Sequence, residues 1–161
     1  MAATTDRTDD EQERLNRQLS ELLQELRVAM PGVQVLFAFL LAVPFADGFE
    51  DTSAFERGVY LVALLCAALS SALFITPAAY HRLVFQRGEK ERIVDLAARC
   101  AILGLLFLAV AMTASVLLVA SFLFSELSAL IATASVALAF GWLWFGLGWI
   151  RRQSVPSRPD A

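Results

Sequence analysis

Charge, histidine and cysteine are what this chain has least of, and each shortage removes a class of function. Only 18% of its 161 residues are charged, while 58% are hydrophobic. A soluble domain carries about 25% charged and about 45–50% apolar residues. The formal net charge is −3 and the pI about 5.1, so the basic footprint of a nucleic-acid binder is missing. The single histidine, His81, cannot build a metal cluster or pair with another histidine. The two cysteines, Cys66 and Cys100, stand far apart in apolar surroundings with no CxxC, which argues against redox exchange and thiolate zinc sites. GxGxxG, P-loop, HExxH and GxSxG patterns are all lacking. With no nucleophile–base pair either, the expectation is a protein that is not an enzyme and takes no cofactor.

What is present is apolar length. The mean hydropathy is +0.61. It is concentrated in four runs without Asp, Glu, Lys, Arg or His: Val28–Ala46, Gly58–Tyr80, Cys100–Ser125 and Leu127–Ile150. A helix rises about 1.5 Å per residue and the hydrocarbon core is about 30 Å thick, so each run can cross it. Backbone groups in lipid must bond internally, and no period-2 alternation suggests a barrel, so helices are expected. The last two runs are separated only by Glu126. As one helix they would reach roughly 75 Å, far beyond the bilayer, so the chain must turn at Ser125-Glu126-Leu127-Ser128. Ser125 is placed to cap the fourth helix, with Glu126 favourable in its first turn.

The predicted fold class is all-α: a compact four-transmembrane-helix bundle preceded by a cytoplasmic amphipathic helix. The expected divisions are residues 1–29 for that acidic helix and 30–150 for the membrane domain, with spans near 30–46, 56–80, 98–124 and 127–150. A disordered cytoplasmic tail is expected at 151–161. Basic residues set the orientation. Twelve flank the N-terminus, the loop between runs two and three, and the C-terminus, while Arg57 alone lies on the other side. The positive-inside rule therefore puts both termini in the cytoplasm and argues against dual topology. Trp142, Trp144, Trp149, Tyr80 and Phe85 gather toward one interface, and Phe45, Phe49, Phe55 and Phe124 toward the other, as aromatic belts do.

Outside the membrane, Leu15, Leu19, Leu22, Leu26 and Ala29 follow a 4-3 heptad spacing. This stripe can lie on the lipid surface, pack on protein (copies of itself included), or dock on residues 82–99. Residues 1–29 carry seven acids and four arginines, which an anionic leaflet repels, so protein packing is favoured. Pro31-Gly32 is expected to kink or break the chain as it enters the bilayer. Ser53-Ala54-Phe55-Glu56 matches a capping box that starts the second helix near Ala54. Asp47, Glu50, Asp51 and Glu56 could attract cations, but capping and loop solvation account for them. Pro77 should kink the second helix, and Arg87-Gly88 should stop it. Asp95 and Arg99 are spaced for an i,i+4 ion pair.

Close helix packing in lipid needs small residues. The fourth run has them at four-residue spacing, Ala129, Thr133, Ala137 and Gly141. The second has Ala63, Ala67 and Ser71, and the third Ala109 and Thr113. These can serve the bundle itself or an oligomer interface. No run holds an ionisable group, which ion-coupled transport requires at depth. The intramembrane polar candidates are Gln34, Ser71, Thr113 and Thr133. Gln34 suits a hydrogen bond between helices or a place along a permeation path. At the cytoplasmic interface, His81 and Arg82 are candidates for an anchor, a pH sensor or an anion contact.

Two stretches resemble a known family. They are Glu21-Leu22-Leu23-Gln24-Glu25-Leu26-Arg27-Val28 with Gly32 to Leu41 and Pro44-Phe45, and Ala79-Tyr80-His81-Arg82 with Phe85, Gly88, Glu89 and Lys90. The likeness is to small bacterial multi-pass membrane proteins of unknown function, some of which carry a sodium:proton antiporter label. It implies a bacterial cytoplasmic membrane and supplies no catalytic residues. From the residues, the leading expectation is a non-enzymatic scaffold or accessory subunit. Its partners would be the lipid bilayer and either a second copy or another membrane protein, with no nucleic acid. A small ion or solute transporter or channel is the other reading.

Overall fold

A computed structural model describes residues 2–84 and 90–146. Among these residues the chain is helical, with no strand. Helix α1 spans Ala2–Ala42, α2 Ala54–Val84, α3 Lys90–Leu123 and α4 Glu126–Phe140. Four segments are long and apolar enough to cross a membrane: Ser20–Phe45, Ala54–Tyr80, Val94–Leu123 and Glu126–Trp144. After α4 the last described turn, Gly141–Gly146, is wound as a π-helix. The expected fourth span, 127–150, is described as far as Gly146; its remainder lies outside the described residues, as do Arg87-Gly88 and the tail 151–161.

Residues 8–29 are not a separate amphipathic element. They are the first part of the 41-residue α1, which runs on through Pro31 and Gly32 without the expected break. Pro31 removes one backbone donor at an exposed position, a local loss. The turns on either side are fixed by buried Leu26 and Val33, so packing maintains the helix across it. The heptad spacing also continues past residue 29. Leu15, Leu19, Leu22, Leu26, Ala29, Val33, Leu36 and Leu40 keep the 4-3 alternation throughout. From Leu22 onward the stripe is thus the N-terminal part of the seam by which α1 joins the bundle.

That seam meets α2 and α3, the tightest pair in the molecule. On α2, Ala63, Ala67, Ser70, Phe74 and Pro77 are buried at heptad spacing; on α3, Ala97, Cys100, Gly104, Leu108 and Ala111 are their counterparts. One core cluster joins Leu26, Val33, Phe74 and Leu108, and a second joins Leu40, Ala63, Ala67 and Ala111. Small residues at these positions let the backbones approach, and van der Waals contact replaces the hydrophobic drive that lipid removes.

The fourth helix joins the bundle through α3. Among the described residues its backbone packs on α3 and makes no backbone contact with α1 or α2. Ala129, 2% exposed, is its one buried residue. Thr133 is half-buried, and Ala137 and Gly141 are exposed. Burial along the small-residue stripe is thus strongest at its start. A second attachment lies at the far end. Trp144 packs against the Leu26–Val33–Phe74–Leu108 cluster and stacks on Phe140 at a ring separation of 4.8 Å.

At the end where α1 meets α2, the connection is ordered by its own hydrogen bonds. Short 3-10 turns cover Val43–Phe45 and Phe49–Asp51, and Gly48 supplies the left-handed residue (φ 89°) between them. Thr52 donates from Oγ1 to the Phe49 carbonyl at 2.7 Å and accepts from Arg57 Nε at 3.2 Å. Arg57 also donates to the Glu50 carbonyl at 2.9 Å. The Tyr60 hydroxyl donates to the Leu40 carbonyl at 3.1 Å, closing α1 onto α2. The expected capping box is present and reciprocal. Ser53 N donates to Glu56 Oε2 at 2.7 Å, and Glu56 N donates to Ser53 Oγ at 3.2 Å. Replacing Ser53 with Ala should lower stability by about 1 kcal/mol, the usual worth of such a cap. Detergent-titrated unfolding followed by circular dichroism checks it.

Candidate functional site

The polar groups inside the apolar segments are few, and their partners decide what they can do. Ser70, fully buried, donates from Oγ to the Gly104 carbonyl at 2.8 Å, joining α2 to α3. Thr76, Ser115, Thr133 and Ser135 each donate, at 2.8 Å, to the carbonyl four residues earlier in their own helix. Ser121 donates to the Leu118 carbonyl at 2.8 Å and reaches Glu56 Oε1 at 3.3 Å, tying the far end of α3 to the start of α2. These hydroxyls satisfy backbone acceptors and present their apolar sides outward. No buried side-chain nitrogen or oxygen among the described residues lacks a partner.

Ser70 is a fully buried hydroxyl that links helices, one position from the expected Ser71, which is half-buried. The sequence signal for it was available: Ser70 shares the heptad phase of Ala63 and Ala67, and Ser71 does not. Ser70→Ala should cost about 0.6 kcal/mol, the average worth of such a bond in a membrane bundle. A shift in the detergent unfolding midpoint is the measurement. Gln34 is exposed on α1 and is not brought to the α2–α3 seam. The side chains of His81 and Arg82 lie outside the described residues, as do those of Leu15 and Leu19. Leu22 is half-buried and Leu26 is buried in the core. Cys66 and Cys100 are free thiols. Asp95 and Arg99 form the expected pair at 2.8 Å, well exposed and worth only a few tenths of a kcal/mol.

The register of α1 and α3 shows what the stripe covers. Val33 and Leu108 share one cluster, and the two helices run parallel with equal rise. Lys90, eighteen positions before Leu108, is therefore level with position 15, where the stripe begins. The start of the stripe is thus level with the start of α3, and its described part, from Leu22 onward, turns toward the bundle.

A concavity lies between α2, α3 and α4. It has a volume of about 780 Å³. Its floor is α3 from Leu106 to Leu117, one wall is α2 from Ala54 to Val62, and the other is α4 from Thr133 to Gly141. The expected small residues Ala109, Thr113, Thr133, Ala137 and Gly141 meet here, lining an open apolar groove rather than a closed helix interface. Gly58 and Gly141, on opposite walls, have open space where a Cβ would stand. No group of three or more His, Cys, Asp or Glu able to hold a metal occurs among the described residues.

No curated protein and no solved structure matches the chain. A model for a family of unknown function, DUF6328, matches residues 8–148, covering α1 from residue 8 onward, the whole seam from Leu15 to Leu40 and the helices that follow, and the chain belongs to that family.

Proposed function

We propose that the chain is a multi-pass protein of a bacterial cytoplasmic membrane, with both termini in the cytoplasm, and that it works as a non-enzymatic scaffold or accessory subunit. Its partners are a second copy of itself or another membrane protein, met through helix faces within the bilayer. The observation that carries this reading is the fate of the hydroxyls. The apolar runs contain no ionisable group, and the hydroxyls of Ser70, Thr76, Ser115, Thr133 and Ser135 are spent on backbone carbonyls. A coupled transporter needs a site at depth that takes up and releases charge. The charge distribution supports the orientation, since twelve of thirteen basic residues fall on one side.

One observation favours a second reading, a small ion or solute transporter. Gln34 is exposed on α1, where an adjoining copy could enclose it in a path between subunits. Proteoliposomes separate the two. The scaffold reading expects proton flux under a sodium gradient to match empty vesicles, and flux that disappears in Gln34→Ala defeats it. Purification in mild detergent, with identification of co-isolated membrane proteins and measurement of oligomer mass, gives the positive test. A chain that is monomeric and isolated without partners defeats the scaffold reading from the other side.

A further inference from the structure

We propose that two copies of this chain pair side by side in the bilayer through one exposed face of α1, with Gln34 of one copy hydrogen-bonded to Gln34 of the other. The proposal rests on the membrane-spanning scaffold reading and names the partner and the contact within it.

Helix α1 carries two rows at heptad spacing. The first, through Leu26, Val33 and Leu40, is buried against α2 and α3. The second follows one position behind: Arg27, Pro31, Gln34, Ala38 and Leu41, all exposed. At 3.6 residues per turn it stands about 100° around the helix from the first. It is left to whatever surrounds the bundle.

Gln34 decides what that is. It lies seven residues, about 10 Å, beyond Arg27 and eight residues, about 12 Å, before α1 ends at Ala42, inside the apolar segment Ser20–Phe45. Lipid tails offer neither donor nor acceptor, so an unpaired amide at that depth is costly. The hydroxyls of Thr76, Ser115, Thr133 and Ser135 avoid this by donating to their own helix backbone. Gln34 has no such partner among the described residues.

The chemistry of the amide selects a second copy. The lopsided basic residues give every copy the same orientation, so a two-fold axis between two copies stands along the membrane normal. Equal residues then meet at equal depth. A glutamine amide has both an N–H donor and a carbonyl acceptor, so each Gln34 donates to the other and both are satisfied without any charge. Another protein would have to bring its own polar group to that depth. Ala38, one turn on, is small enough to let the backbones approach. One polar position in an otherwise apolar row also fixes the register, as it does in coiled coils. Arg27 meets its counterpart at the aqueous end, where solvent and salt screen the repulsion.

The test uses the full chain, labelled with donor and acceptor dyes, in liposomes at rising protein-to-lipid ratio. Energy transfer should saturate as dimers form. Gln34→Leu should weaken association about tenfold, the worth of two such bonds. Gln34→Asn keeps the amide and should retain more association than Gln34→Leu, while Ala38→Phe should also weaken it. In a Cys66→Ala/Cys100→Ala background, Ala38→Cys and Leu41→Cys should each trap a disulfide-linked dimer. Gly32→Cys and Phe39→Cys, more than a quarter-turn around α1, should not. Circular dichroism and a monodisperse elution profile establish that each variant is folded. Undiminished association of Gln34→Leu, or stronger trapping at positions 32 and 39 than at 38 and 41, would overturn the proposal. So would a chain that stays monomeric at every density; if that monomer still co-isolates with another membrane protein, the scaffold reading survives. Trapping as expected, together with proton flux that Gln34→Ala abolishes, defeats the scaffold reading and leaves the pairing in place.

Discussion

Phe74→Ala should be the most damaging single truncation in the molecule, lowering stability by about 3 kcal/mol. The ring is 1% exposed and lies at the contact between α1, α2 and α3, in the cluster with Leu26, Val33 and Leu108. In a soluble core such a truncation costs about 3–5 kcal/mol. Here the transfer part is absent, because lipid is as apolar as the core, and the lost dispersion contacts remain. The lower end of the range is therefore expected. The same ring explains Gly104. An ideal Cβ there would stand 2.6 Å from Phe74 Cδ1 and closer still to Cε1. Gly104→Ala should cost about 1–3 kcal/mol by overpacking. The double variant Phe74→Ala/Gly104→Ala should be less damaging than the sum of the singles by about 1 kcal/mol or more, since the added methyl enters the space that the ring vacates. Unfolding in mixed micelles, followed by circular dichroism, measures all three; strict additivity would show that ring and glycine are not in contact.

Ala129→Leu should have the largest effect on shape. Ala129 is the residue by which α4 lies against α3, and Ser125, one turn earlier, begins the helix. Ser125 occupies the N-cap position that its sequence context indicates, but its hydroxyl pairs with Ser128 Oγ at 3.1 Å rather than with a backbone N–H. The hairpin is therefore weakly fastened at its turn, and the crossing depends on the small residue. Three added carbons should separate α4 from α3 at a cost of about 1–3 kcal/mol. Spin labels placed on exposed faces of α3 and α4 should report a longer distance, with α2 and α3 unmoved. An unchanged distance would mean that Trp144 alone holds α4.

The number of apolar helices was legible because charge-free length is a one-dimensional property. The capping box at Ser53–Glu56 was legible because its partners are three residues apart. Gln34 and Ser71 were attractive for their chemistry, yet the helix phase that decides exposure was set by Leu26, Val33 and Leu40 on α1 and by Ala63, Ala67 and Ser70 on α2. The stripe from Leu15 to Ala29 was visible, but its continuation through Pro31 was not, because proline argues locally for a break while the buried turns around it argue for continuity. The exposure of the second half of the α4 stripe had no sequence signal. Its small-residue spacing is as regular as that of α2, yet Ala137 and Gly141 line a groove opposite α2 instead of a closed helix contact.

An unbroken α1 also has a mechanical side. Between Ala2 and Glu21, just before half-buried Leu22, it extends roughly 29 Å as one stiff rod. Hinged where its seam grips α2 and α3, such a rod is a lever arm: a tilt of 10° at the grip would swing its tip by about 5 Å, given that length. A disturbance of the packing around Val33 would thus be magnified at the acidic tip, the part of the chain farthest from the grip.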